Sequence, residues 1–328
     1  MKPQLSPWAR KLVNGDRRTL ARSITKIEST RQDDQESAEA LIDEVMSHTG
    51  GSLRLGITGT PGVGKSTLID AFGSLLIKHG HRVAVLAVDP SSQRAGGSIL
   101  GDKTRMTTLS NRPEAFIRPS PSRGLTGGVA RHTRDALLLC EAAGHDIVIV
   151  ETMGVGQAET AVADICDLFL LLVAPSGGDD LQGIKRGVME LADVVVVNKA
   201  DGQLLGAAEH TAAEYRNALH LMRPKWPHHP TPIMTCSALT NEGLDELWIT
   251  ISELHTILIE AGRIAALRAN QAVAQLNNEF EYLLLERVTR LPAFEKYRKQ
   301  VETSVLDGKR APASAANELA RRAWRELS

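Results

Sequence analysis

Short apolar runs alternate with amphipathic stretches from residue 53 onward. Runs at 53–58, 83–89, 147–151, 168–174, 194–198 and 233–237 are β-branched or leucine-rich and apolar at nearly every position. Strands of that kind are buried on both faces. Between them, 67–78, 129–143, 207–222 and 244–258 carry the 3.6-residue spacing of helices. Strand–helix alternation of this sort predicts an α/β fold: a doubly wound, mostly parallel sheet covered on both faces, with ligands beyond the carboxyl ends of the strands. Residues 1–50 are charged, with Leu20, Ile24 and Ile27 at helical spacing, and Gly50-Gly51 ends that pattern. After residue 258 the strand signals stop, and the Ala/Leu/Glu/Arg-rich remainder reads as two or three helices. The expected organisation is a helical arm over 1–50, an α/β domain over 51–258 and a helical segment over 259–328. No repeat or low-complexity tract interrupts it.

Composition narrows the function classes. Lys+Arg 38 against Asp+Glu 39 gives no basic excess of the kind nucleic-acid binders use, so no nucleic-acid partner is expected. The longest apolar stretch, 168–175, is far too short to span a bilayer, and no apolar signal core follows Met1-Lys2-Pro3. A cytoplasmic protein without membrane contact is the expectation. Cys140, Cys166 and Cys236 are scattered through apolar settings and read as small buried hydrophobes. His228-His229, flanked by prolines, reads as a solvated loop.

The chemistry begins at Gly59-Thr60-Pro61-Gly62-Val63-Gly64-Lys65-Ser66, which fits G-x-x-x-x-G-K-[ST] between a predicted strand and a predicted helix. This is the P-loop NTPase arrangement. Backbone N–H groups of Gly62, Val63 and Gly64 would wrap the β-phosphate, helped by the positive helix end. Lys65 would reach the β/γ oxygens, Ser66 would ligate Mg2+, and Thr67 would meet the α-phosphate. A second motif, Asn198-Lys199-Ala200-Asp201, ends the run 194–197. Asp201 can accept from guanine N1–H and its exocyclic amine, a donor pair that adenine does not present on that edge. A carboxylate facing adenine would be left unpaired, which discriminates against it. Asn198 would hold the loop and the Lys199 stem would lie along the base. Ser237-Ala238-Leu239, after the last strand, offers N–H groups for the guanine oxygen. GTP and GDP are therefore the expected ligands.

Three carboxylates, Asp89, Asp102 and Glu151, fall at strand ends or in loops on the same rim and are candidates for the Mg2+ site. Glu151-Thr152-Met153-Gly154 stands where other GTPases have D-x-x-G. The polar, glycine-rich stretch 89–105 suits a loop ordered by nucleotide. Lys65, Asp102 and Glu151 are the candidate catalytic residues. No residue clearly positions the attacking water, since Gln157 lies three residues after Gly154. Slow intrinsic hydrolysis, accelerated by a partner, is the consequence expected.

Taken together, these segments resemble the MeaB/ArgK family of P-loop GTPases over nearly the whole chain. The likeness is carried by Ala87-Val88-Asp89-Pro90-Ser91-Ser92, by 97–106, by Glu151-Thr152-Met153-Gly154-Val155-Gly156-Gln157 and by Asp179-Asp180-Leu181-Gln182-Gly183-Ile184-Lys185. The resemblance implies a G-protein chaperone of adenosylcobalamin-dependent methylmalonyl-CoA mutase that gates loading of intact cofactor and helps remove damaged cofactor. It further implies a homodimer formed through the C-terminal helices, and a cob(I)alamin adenosyltransferase as a second partner. Residues 176–185 would be a third switch in which Asp180, Gln182 and Lys185 transmit nucleotide state. Met153 and Ala158 depart from the Val and Ser common in the family, and Pro175-Ser176 replaces part of a glycine-rich run; none is a proposed ligand. Two other readings compete. A metal-inserting GTPase would carry a C-x-C or C-P-H run, which this chain lacks, and an ATP-using transport-associated kinase would leave Asp201 without a purpose.

Overall fold

In a computed structural model the described residues are 5–89, 106–121, 126–152, 158–175 and 186–327. Three helices open the chain: α1 (Pro7–Val13), α2 (Arg17–Ile27) and α3 (Gln32–Val45). Their starts are capped as the local sequence dictates: Ser6 accepts from the Ala9 N–H with Pro7 in the first turn, and Asp16 accepts from the Thr19 N–H at 2.6 Å. The α/β part follows as β1 (Leu53–Gly59), α4 (Lys65–Lys78), β2 (Val83–Asp89), α5 (Thr107–Ser110), β3 (Ala115–Pro121), α6 (Thr126–Ala142), β4 (Ile147–Thr152) and α7 (Ala158–Ala163). It continues as β5 (Leu168–Val173), α8 (Arg186–Leu191), β6 (Val194–Val197), α9 (Leu205–His220), β7 (Ile233–Thr235) and α10 (Leu244–Glu260). The helices α11 (Arg263–Thr289), α12 (Pro292–Leu306) and α13 (Pro312–Leu327) close the chain.

All seven strands are parallel, in the order β3-β2-β4-β1-β5-β6-β7. Successive side chains enter opposite cores. Val83, Val85, Ile147, Ile149, Leu168 and Leu170 pack with α4, α5 and α10, while Ala84, Leu86, Val148, Val150 and Phe169 pack with α1–α3, α6 and α7. Leu171, Val173, Val195 and Val197 pack with α8 and α9. Each Val, Leu, Ile or Phe among them stabilises the fold by about 1.5–3 kcal/mol on burial, which is why these strands are apolar at nearly every position rather than at alternate ones.

The sequence reading anticipated six of the strands. β3 was missed because its run Ala-Phe-Ile-Arg-Pro-Ser-Pro contains Pro119 and Pro121, which cannot donate to a ladder on both sides. It lies at the sheet edge, paired only with β2, where that defect is tolerated. The last strand ends at Thr235, because the Ser237 N–H turns away to the Glu242 carbonyl at 2.9 Å.

The chain divides into two compact units, Met1–Gln271 and Ala272–Ser328. In the second, α12 and α13 are joined by the Tyr297 hydroxyl donating to Glu318, by Arg310–Glu318, and by Arg322 lying 5.6 Å from the centre of the Tyr297 ring. No helix among the described residues is long and apolar enough to cross a membrane.

Candidate nucleotide-binding site

The site is assembled at the carboxyl edge of β1, β4, β6 and β7. β1 runs into the loop 60–64, and α4 starts at Lys65. Glycine is required here for close approach: a Cβ on Gly59 would sit 2.3 Å from the Leu172 carbonyl oxygen, and one on Gly64 would sit 2.6 Å from Asn198 Nδ2. Gly64 is also left-handed, at φ 95°, and caps α4 without a side-chain hydrogen bond. The first N–H groups of α4 are thus directed at whatever the loop encloses. Lys65 is buried, and its Nζ donates to the carbonyls of Gly59 at 2.6 Å and Thr60 at 3.1 Å. Burial pulls its pKa below the usual lysine value, while the nearby carboxylates of Glu151 and Glu159 oppose that fall. The ammonium therefore sits inside the loop, held by carbonyls that a phosphate oxygen can replace.

Register brings the acidic rim beside the loop. Glu151 in β4 lies level with Ile57 in β1 and Ala87 in β2. The Ser66 hydroxyl donates to Glu151 Oε1 at 3.2 Å, and the hydroxyls of Thr58 and Thr152 are 2.7 Å apart in the core beneath. Asp89 ends β2 on this rim, but its side chain, and all of Asp102, Gly154, Gln157 and 176–185, lie outside the described residues. The third-switch residues Asp180, Gln182 and Lys185 fall in that last segment. A hydroxyl and a carboxylate in contact at a helix start are hard oxygen donors, the chemistry Mg2+ selects alongside phosphate oxygens and water. Ser66 and Glu151 fit that ion. Among the described residues no group of three or more His, Cys, Asp or Glu could hold a metal.

Glu159, in the first turn of α7, went unremarked in the sequence reading. It is buried and close enough to Lys65 to act on its charge. A glutamate inside the small-residue run Ala158–Ala163 was the available signal.

Two residues of the second motif, Asn198 and Lys199, bond directly to the loop 60–64. Asn198 follows β6 and is buried; its Nδ2 donates to the Val63 carbonyl at 2.9 Å, and its Oδ1 accepts from the Ala238 N–H at 3.1 Å. Lys199, left-handed at φ 61°, reaches the Gly62 carbonyl at 2.7 Å. The Ala200 N–H donates to the Cys236 carbonyl at 3.0 Å. The Ser237 hydroxyl donates to the Asp201 carboxylate and accepts from the N–H groups of Leu239 at 3.3 Å and Thr240 at 3.1 Å. Hydrogen bonds and the close approach at Gly64 thereby link Gly62, Val63 and Gly64 with Asn198, Lys199, Asp201, Ser237, Ala238 and Leu239, while Lys65, Ser66 and Thr67 open α4 beside them. The three cysteines are buried, and burial pushes the Cys236 thiol up to about 12.

Known proteins resemble this chain over most of its length. The family described as Methylmalonyl Co-A mutase-associated GTPase MeaB matches residues 20–293. A putative GTPase of Caulobacter vibrioides is 53% identical over 93% of this chain and 93% of its own length. GTPase ArgK of Escherichia coli is 46% identical over 96% of this chain and 95% of its own. The mouse mitochondrial protein named methylmalonic aciduria type A homolog is 44% identical over 93% of this chain and 76% of its own. Among solved structures, one described as an LAO/AO transport system kinase superposes with a TM-score of 0.76 at 39% identity, covering 96% of this chain and 95% of that one.

Proposed function

The chain belongs to the MeaB family of methylmalonyl-CoA mutase-associated GTPases, and from that premise we propose that it hydrolyses GTP to GDP and phosphate to control an adenosylcobalamin-dependent methylmalonyl-CoA mutase. Its role is that of a G-protein chaperone: nucleotide state gates loading of intact cofactor and removal of damaged cofactor. One observation carries the nucleotide reading. Asn198 bonds the phosphate loop at Val63 and the base-reading loop at Ala238 at once, so a purine read by Asp201 has its phosphates delivered to Lys65.

The residues divide the work as follows. Asp201 accepts the guanine N1–H and exocyclic amine, with Ser237 holding its carboxylate in place. Lys65 exchanges the carbonyls of Gly59 and Thr60 for β/γ oxygens. Ser66 and Glu151, with Asp89 and Asp102 as further candidates, would hold Mg2+, which neutralises charge on the β- and γ-phosphates when bound. Competition against a fluorescent GDP tests the base reading: GDP should outcompete ADP by orders of magnitude, and equal affinities would refute it. The same assay disposes of an ATP-dependent kinase, which has no use for Asp201.

The partner reading rests on the family and on the mouse relative's name. Saturating mutase should raise the rate of GTP hydrolysis; an unchanged rate would sink this partner. A cob(I)alamin adenosyltransferase, as the source of the cofactor, is the second partner we propose. Self-association through the C-terminal helices has physical support. Leu276, Phe280 and Leu283 on α11 recur at helical spacing yet are 67%, 61% and 45% exposed, an apolar stripe of the kind a second helix covers. We accordingly assign dimerisation to 259–328, nucleotide chemistry to 51–258, an N-terminal arm to 1–50 and a cytoplasmic location to the whole.

A further inference from the structure

Between α4, α5 and the loop entering α10 lies a cavity of about 420 Å3. Thr67 and Ala238 line one part of it, and they are the candidate contacts for the α-phosphate and for guanine. The ribose of a bound guanine nucleotide has to lie between those two contacts, so the cavity opens toward the sugar. Ser74 and Lys78 line it too, on the same stripe of α4 as Thr67. Ser74 stands seven residues, or about 10 Å of helix axis, beyond Thr67. Lys78 stands one turn further, and long helical side chains lean back toward the N-terminus, here toward Ser74.

Arg112 completes this end from the residues after α5. Its position is set by how α5 is seated. Asp70 accepts the N–H groups of Leu109 at 2.7 Å and Thr108 at 3.4 Å. The Leu109 side chain fills the notch at Gly73, where a Cβ would come within 2.7 Å of it. Those contacts engage Asp70, and the other acid of the cavity, Asp245, is engaged with His79 at 3.2 Å. The same lining holds three groups that can donate, Ser74, Lys78 and Arg112. The Ser74 hydroxyl is nine-tenths buried and has no hydrogen-bond partner. Among the described residues, neither Lys78 nor Arg112 forms an ion pair. With the Asp70 and Asp245 carboxylates already engaged, a buried hydroxyl and two cations lining one cavity can together receive an anionic oxygen group.

We propose that this cavity receives the ribose-borne phosphates of a guanosine nucleotide esterified at its 3′-oxygen, making guanosine 3′,5′-bis(diphosphate) a ligand preferred over GDP. The proposal rests on the guanine-nucleotide reading above. A group tethered through the ribose reaches the cations at high effective concentration, an advantage that free phosphate lacks. Because such a nucleotide carries no 5′-γ-phosphate, it occupies the site without being hydrolysed and holds the protein out of its GTP state.

The test is competition against fluorescent GDP with Mg2+, comparing GDP, guanosine 3′,5′-bis(diphosphate), and GDP supplemented with free pyrophosphate. The wild-type protein should bind the bis(diphosphate) more tightly than GDP by about tenfold or more, the scale of added charge-assisted contacts. Lys78→Ala with Arg112→Ala should erase that preference and leave GDP affinity unchanged, and Ser74→Ala should reduce it. Equal affinities in the wild type overturn the proposal, as does a preference that survives the double substitution. If pyrophosphate binds the GDP-loaded protein in a Lys78- and Arg112-dependent way while the 3′-ester gains nothing, the ribose assignment is overturned. Failure of GDP itself to bind would instead strike the nucleotide reading.

Discussion

Replacing Asn198 with alanine removes a side chain that bonds both halves of the site at once. In the folded protein its Nδ2 satisfies the Val63 carbonyl at 2.9 Å and its Oδ1 satisfies the Ala238 N–H at 3.1 Å. Asn198 is 1% exposed, Val63 1% and Ala238 8%, so the groups left behind are shielded from water. An unmet buried backbone group costs about 1–3 kcal/mol, and two of them place the loss of stability at about 2–6 kcal/mol before any nucleotide is added. Asp201, three residues on in the same motif, behaves oppositely. Its carboxylate is part-exposed and accepts from the Ser237 hydroxyl at the mouth of the site, so Asp201→Ala should cost under about 1 kcal/mol in the ligand-free protein. It should nonetheless weaken GDP binding by about 100-fold or more, because two charge-assisted bonds to the base are lost. Urea titrations of ligand-free protein, followed by the fluorescence of Trp8, Trp226 and Trp248, measure the first quantity, and GDP titration measures the second. If Asn198→Ala unfolds at the wild-type midpoint while Asp201→Ala is destabilised, the division between framework and reader is wrong.

Two further outcomes follow from groups at the opposite end of the sheet. Arg268 donates to Asp167 at 2.6 and 2.7 Å and to the carbonyls of Gly50 and Ser52, each at 2.6 Å, while the Asp167 side chain is wholly buried. Arg268→Ala should cost about 3–5 kcal/mol in urea denaturation, since it leaves a buried carboxylate without its main partner; a change within experimental error would contradict this. Lysine at 268 should recover only part of it, having no fork to reach carboxylate and carbonyls together. His145 is held neutral by burial, which lowers its pKa from 6.5 to about 4 against the opposing bond to the Cys140 carbonyl. The unfolded chain takes up that proton first as pH falls. Stability is therefore complete above about pH 6.5 and declines toward pH 4, by about 3 kcal/mol at 1.36 kcal/mol per pH unit. His145→Asn should flatten that part of the stability–pH curve relative to wild type, and parallel curves would remove His145 as its source.

What could be read from the sequence was what depends on neighbours in the chain. The strands β1, β2, β4, β5 and β6 are apolar at most positions because both their faces are covered, and that pattern survives in the letters. β3 does not announce itself, because its strand character comes from pairing with β2 along 83–89 and not from its own proline-broken run. Glu159 was hard to read for a similar reason. Its proximity to Lys65, ninety-four residues earlier in the chain, cannot be read locally, and its own helix offers only a lone acid in a small-residue run. The seating of α5 on α4 through Asp70 and Gly73 is likewise a property of two segments meeting.

The site itself shows where that boundary falls. Each motif points to its own chemistry from its local setting: a glycine loop with a lysine between strand and helix to a phosphate cradle, and an aspartate after Asn-Lys-Ala at a strand end to a base reader. Neither motif states that the other is its partner. The contacts that join them, Asn198 to Val63 and Lys199 to Gly62, span 135 and 137 residues and use backbone carbonyls that carry no sequence signature. The clearance at Gly64 belongs to the first of these contacts, since any Cβ there would displace the Asn198 amide. Gly64 therefore serves the phosphate loop twice, by its left-handed backbone and by the space it leaves for a residue from another strand. A substitution at Gly64 should then impair base discrimination as well as phosphate binding, although it lies in neither Asp201 nor the loop that supports it.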